Sequence, residues 1–215
     1  MRKITVTAGA LTAGSANAIS LSQTPTSALT INGALATSGV AYLLTPRRVL
    51  ITTTGNETGK NFTITGTNQS GNVIREILAG VNNTTTQSVL DYFTVTSITI
   101  SAAAAAALTV GTSAVGGSPW VRMDEWALSS VSIQCNVSGT VNYTVQQTLD
   151  DPNNPTSPVD PSLITWMNSA DATLVGASTN IQSNSIYLPV YYRVMINSGT
   201  GTVTATFDQT GSVVR

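Results

Sequence analysis

Residues 139–148 read GTVNYTVQQT and residues 201–210 read GTVTATFDQT. Gly, Thr, Val, Thr, Gln and Thr coincide in register, and each stretch follows a Ser/Gly turn. Strand side chains alternate between faces with a period of two. That period puts Val141, Tyr143 and Val145 on one face of the first stretch, and Val203, Ala205 and Phe207 on the corresponding face of the second. Hydroxyls, amides and the Asp208 carboxylate take the other faces. The pair is expected to form two core strands of one sandwich.

The same grammar extends outward. Short β-branched runs recur between Gly/Asn/Ser turns spaced 8–12 residues apart. Strands are expected near 2–7, 47–53, 92–100, 108–110, 120–123, 127–137, 140–148, 186–197 and 201–208. Residues 61–78 read as a hairpin around the turn 68–72, with Phe62 and Ile64 inside. In 92–100, alternation sets Phe93, Val95 and Ser97 against Thr94, Thr96 and Ile98. No stretch carries helical periodicity. The alanine run 102–107 follows a strand and is too short to nucleate a helix, so it reads as a tight crossing. The expected fold is all-β, with two β-sandwich-like domains of jelly-roll or Ig-like type.

The expected boundaries follow composition. Residues 1–45, dominated by Ala, Thr, Ser and Gly, read as an extended N-terminal arm that buries too little apolar area to offset its ordering entropy. Residues 46–111 form a first β domain, 112–119 a Gly/Ser/Pro linker and 120–215 a second β-sandwich domain. Four prolines between 149 and 165 exclude a central strand or helix and mark a long exposed loop.

Composition narrows the chemistry. The chain has 215 residues, of which 9% are charged, with a net charge of −1 and no His. Thr and Ser make up roughly a quarter of it. Without His there is no Ser-His-Asp triad and no imidazole metal site. One cysteine, Cys135, allows no internal disulfide and reads as a small buried hydrophobe. Scattered basic residues give no footprint for nucleic acid, and no apolar run is long enough to cross a bilayer as a helix. Met1-Arg2-Lys3 and Ala16-Asn17-Ala18 outline a leader, but the Thr-rich segment between them is a poor hydrophobic core, so no cleavage is expected. The Asn-X-Ser/Thr sites are those expected of so Asn- and Thr-rich a chain.

Few residues then remain as candidate sites. No catalytic or cofactor-binding residue is assigned. Asp150, Asp151 and Asp160 share one loop and are a weak candidate for Ca²⁺, without EF-hand spacing. Asp124 and Glu125, between Trp120 and Trp126, suggest a sugar platform or, more simply, a turn between core anchors. Trp166, Tyr191 and Tyr192 are candidate interaction residues. Because Tyr191 and Tyr192 point to opposite faces of one strand, one of them is expected to be exposed or packed under a loop.

Residues 48–66 (RVLITTTGNETGKNFTITG), 71–77 (GNVIREI) and 93–98 (FTVTSI) resemble a pattern in tailed-bacteriophage virion proteins. So do Pro119-Trp120, residues 138–146 (SGTVNYTVQ), Asp150-Asp151, residues 189–193 and residues 199–204 (GTGTVT). The resemblance covers about residues 46–210 and carries no catalytic residues. It implies a structural, non-enzymatic component assembled on a virion in the bacterial host cytoplasm. A capsid decoration or cement protein is the leading expectation, with the major capsid or other virion proteins and copies of itself as partners. The alternative is a carbohydrate- or receptor-binding module of a tail or head fibre. A tail-associated glycan hydrolase is a distant third, since no carboxylate pair has a diagnostic setting.

Overall fold

The structure, a computed structural model, describes residues 2–124 and 130–209. Its strands are β1 (Arg2–Ala8), β2 (Ser15–Gln23), β3 (Ala36–Thr37), β4 (Val40–Thr53), β5 (Asn61–Thr67), β6 (Val73–Ala79), β7 (Thr85–Gln87), β8 (Tyr92–Ile100), β9 (Leu108–Gly117), β10 (Val121–Arg122), β11 (Val131–Ser138), β12 (Val141–Thr148), β13 (Met167–Asn168), β14 (Ile181–Ser185), β15 (Tyr191–Gly199) and β16 (Thr202–Gln209). Among the described residues the single helical element is a 3₁₀ turn, Ala172–Leu174, capped by the Asp171 carboxylate. The chain is all-β and sandwich-like, as its alternation predicts.

Two compact units emerge. One comprises residues 1–12 and 115–215, the other residues 13–114. In the first, an antiparallel sheet of order β1-β16-β11-β14 faces a second sheet built on β12 and β15. The two echoing segments of the sequence become β12 and β16, one in each sheet. Val141, Tyr143 and Val145 share a core with Val203, Ala205 and Phe207, and all six are at most 3% exposed. Tyr192 of β15 stacks on Phe207 across the sandwich at 4.8 Å between ring centroids. On the outer face, Thr5–Thr206 and Thr7–Thr204 pair hydroxyls at 3.1 and 3.3 Å, so the solvent side of the β1/β16 ladder is held by hydroxyl contacts.

In the second unit β4, β8, β5 and β6 run side by side, with β3 and β7 on β4 and β2 against β9. The expected 61–78 hairpin is β5–β6. Asn68 Oδ1 accepts the N–H groups of Ser70 and Asn72, each at 3.0 Å, which closes its turn. Phe62 and Ile64 are fully buried as expected.

Alternation fails in β8. Thr65 stands opposite Ser97 but Gly66 opposite Val95, so Thr96 is an extra residue and the facing phase reverses across it. Val95 and Ile98 are therefore both fully buried, while Ser97 is exposed and Phe93 only half-buried. Opposite Phe93 the partner strand also departs from register: Tyr42 faces Thr94 while Arg47 faces Tyr92, so residues 43–46 oppose a single residue. Leu44 there has φ 63° and Pro46 lacks an N–H, both incompatible with an unbroken ladder. Gly66 is required at the crossing, since a Cβ would lie 1.9 Å from the Thr94 carbonyl oxygen.

The expected arm is part of the fold. β1 pairs with β16 along seven residues, and Ala8 and Leu11 enter the first core. Ile19, Leu29, Ile31, Ala41 and Leu43 enter the core of the second unit. Small residues are what allow this. A Cβ on Gly33 would meet the Ala18 carbonyl oxygen at 2.3 Å, and one on Gly111 the Ser15 carbonyl oxygen at 1.6 Å. Low complexity here reflects close backbone approach. The expected linker 112–119 is also structured: it lies largely in β9, where Gly116 and Gly117 pair with Ile196 and Met195. Residues 13–114 are thus an insertion between β1 and the rest of its own sheet. The alanine run does form a tight irregular crossing. The Glu57 carboxylate accepts from the N–H of Ala105 and Ala106, and Lys60 donates to the Ala103 carbonyl.

Candidate interaction sites

The aromatic residues gather at one place in the first unit. Trp120 precedes β10, Trp166 precedes β13, and Tyr191 and Arg193 leave β15 on the same face. Trp120 meets Trp166 edge-on at 5.3 Å and Tyr191 at 6.0 Å between centroids. The Arg193 guanidinium lies 4.3 Å above the centre of the Trp166 ring, a cation–π contact strengthened by burial of the arginine. Its Nε also donates to Gln146 Oε1 at 2.9 Å. Tyr191 is buried beneath the 149–165 loop. Its hydroxyl receives the Asn153 amide at 2.9 Å and donates to Asp151, which Arg122 holds in an ion pair at 2.9 Å. Burial is the main reason the Tyr191 hydroxyl is harder to ionise than usual. Both tryptophans are only half-buried, yet Arg193 occupies a ring face of Trp166 that a sugar platform would need. The cluster chiefly pins a proline-rich loop to the sandwich.

The other candidates resolve separately. Tyr192 is fully buried and belongs to the core rather than to an interaction surface. The three loop aspartates do not converge. Asp150 accepts the Thr165 N–H at 2.7 Å, Asp151 the Asn153 N–H at 2.8 Å and Asp160 the Ser162 N–H at 2.8 Å. Each carboxylate closes its own stretch of loop, and no group of metal-holding side chains forms among the described residues. The candidate calcium site does not assemble among the described residues. Asp124 sits in a main-chain clamp: its N–H donates to Gln209 Oε1, and its carbonyl accepts from Gln209 Nε2. Glu125 and Trp126 lie outside the described residues. Cys135 is buried, and burial pushes its thiol up to about 11. Among the described residues, no helix is long and apolar enough to cross a membrane.

Two further surfaces carry exposed apolar side chains. In the second unit β6 is the last strand of its sheet, and Val73 and Ile77 on its outer face are 66% and 59% exposed. Glu76, on the opposite face, is tied to the N–H groups of Val89 and Leu90 at 2.7 and 3.1 Å. In the first unit Leu149, Met167, Tyr187, Leu188 and Pro189 line a concavity of about 340 Å³. The sequence did carry a signal for it. Residues 186–189 (IYLP) are apolar but end in proline, and the strand expected over 186–197 starts only at Tyr191.

No family model matches the chain, and neither a curated protein nor a solved structure matches it.

Proposed function

We propose that this chain is a non-enzymatic structural component of a tailed-phage virion, a capsid decoration or cement protein acting through subunit contacts. The resemblance of residues 46–210 to virion proteins motivates the reading, and the edge strand β6 is the observation that carries its mechanism. A sheet edge presents unpaired N–H and C=O groups to any extended segment that can align with it. Soluble proteins usually blunt such edges with lysine, proline or a bulge. β6 has seven regular residues without proline or bulge, and its outer face shows Val73 and Ile77 on either side of Arg75. A strand from a capsid subunit laid along β6 would satisfy those backbone groups and cover both side chains. Residues 1–45 are already paired and packed within the fold, so this chain acts as the acceptor. The fibre-type carbohydrate module has less support, because Arg193 covers Trp166.

The test is imaging of intact particles carrying labelled protein, wild type and Ile77→Lys. Label over the head, reduced several-fold by Ile77→Lys, supports the reading. Label confined to the tail removes the decoration role, and no label on particles removes the virion assignment.

A further inference from the structure

The outer face of β6 carries one charge between two apolar side chains. Val73, Arg75 and Ile77 alternate along the strand and are all exposed, while Ile74 and Leu78 on the other face are buried. The residues in register with them on β5 are Thr67, Thr65 and Thr63, all neutral. Arg75 therefore sets the sign of the charge that an incoming strand meets on this face. Glu76 sets the opposite sign on the inner face, where its carboxylate accepts the N–H groups of Val89 and Leu90.

We propose that Arg75 and Glu76 select the strand that β6 accepts: an extended segment with an acidic residue opposite Arg75 and apolar residues two positions to either side of it. This inference rests on β6 as the strand acceptor of the proposed function and adds the chemistry of its partner. Residues directly opposite in an antiparallel ladder share a face, where opposite charges attract and like charges repel. An acid opposite Arg75 gains that attraction. The apolar residues two positions away then fall opposite Val73 and Ile77, and contact takes both out of water. A slip of one residue turns the acid to the inner face, against Glu76 or the buried Ile74, and the apolar side chains with it. The two charges thus fix register as well as partner.

The same pair disfavours a second copy of β6 as the occupant. Antiparallel pairing of two β6 strands over their full length puts Glu76 opposite Glu76. A slip of two residues toward the start of the strand puts Arg75 opposite Arg75. Specificity of this kind comes from repulsion of the wrong partner as much as from attraction of the right one.

The experiment is an NMR titration of the full-length, ¹⁵N-labelled protein with capped threonine peptides long enough to span β6. Each has valine two positions to either side of a central residue, which is glutamate in one peptide and lysine in the other. The glutamate peptide should shift the amides of residues 73–79 and bind several-fold more tightly than the lysine peptide. Added salt should narrow the gap, because the pair is formed at an exposed edge. Arg75→Glu should reverse the order of the two peptides, and Arg75→Lys should keep it. Arg75 is exposed, so amide signals away from β6 should stay in place in both variants. Equal affinity for the two peptides, or an order that Arg75→Glu does not reverse, overturns the selection by charge and leaves β6 as an acceptor. Concentration-dependent broadening confined to residues 73–79 in the free protein also overturns it, by making a second copy the occupant. Shifts absent from residues 73–79 with both peptides overturn the acceptor mechanism itself and this inference with it.

Discussion

Truncating Phe207 to alanine tests the strand phase on which the first unit rests. Phe207 is fully buried on β16 and stacked on Tyr192 at 4.8 Å. Its neighbour Thr206 points to the other face and is held by Thr5 at 3.1 Å in an exposed contact. Loss of a buried phenylalanine costs about 3–5 kcal/mol, with the ring–ring contact contributing about 1 of that. Thr206→Ala removes one exposed cross-strand hydroxyl pair, worth at most about 1 kcal/mol. The assay is urea unfolding followed by tryptophan fluorescence. All three tryptophans fall within residues 115–215, so the signal reports the unit that contains Phe207. With an m-value of about 1.5 kcal/mol/M for a unit of this size, ~4 kcal/mol moves the midpoint by roughly 2.5–3 M. Thr206→Ala should move it by less than about 0.7 M on the same slope. Equal shifts for the two variants, or an unchanged midpoint for Phe207→Ala, would refute the inward assignment of the odd-numbered residues of β16.

Glu57 gives the second prediction. Burial raises its pKa, but the Lys60 ammonium at 2.6 Å and the N–H groups of Ala105 and Ala106 outweigh this and hold it below the usual carboxylate value. A depressed carboxylate stabilises the fold above its unfolded pKa and loses that contribution as pH falls through the folded value. Wild-type stability should therefore drop below about pH 4.5, and Glu57→Gln should cost about 2–3 kcal/mol at pH 7 while flattening that acid limb, as read by urea midpoints at pH 7 and pH 4. The third prediction concerns residues 13–45. A chain beginning at Pro46 should fail to fold its first-encountered unit, because Ile19, Leu29, Ile31, Ala41 and Leu43 would be missing from the core. In the intact monomer, hydrogen exchange should find the amides of Leu29, Gly33 and Leu35 protected, since they bond to the carbonyls of Ile98, Ile19 and Ala18; free exchange at these amides would contradict the structure.

The sequence by itself determined what period-two alternation and turn chemistry can encode. The β12 and β16 phases, the β5–β6 hairpin with its Asn68 turn, and the absence of helical periodicity are local properties, read from residues within about ten positions of one another. The inward placement of Val141, Tyr143, Val203 and Phe207 follows from them. The tertiary structure alone decided what depends on partners distant in the chain. The bulge at Thr96 is created by its register with Gly66, so the half-buried position of Phe93 cannot be read from the run 92–100. The role of residues 1–45 depends on backbone approach: Gly33 against Ala18 and Gly111 against Ser15 are contacts of small residues that composition registers only as low complexity. Arg193 reaches Trp166 because β15 passes that tryptophan, although the two are 27 positions apart. The fates of Tyr191 and Tyr192 were set the same way. Alternation required them to face apart, but only the packing of the 149–165 loop over one face and of β16 over the other could bury both.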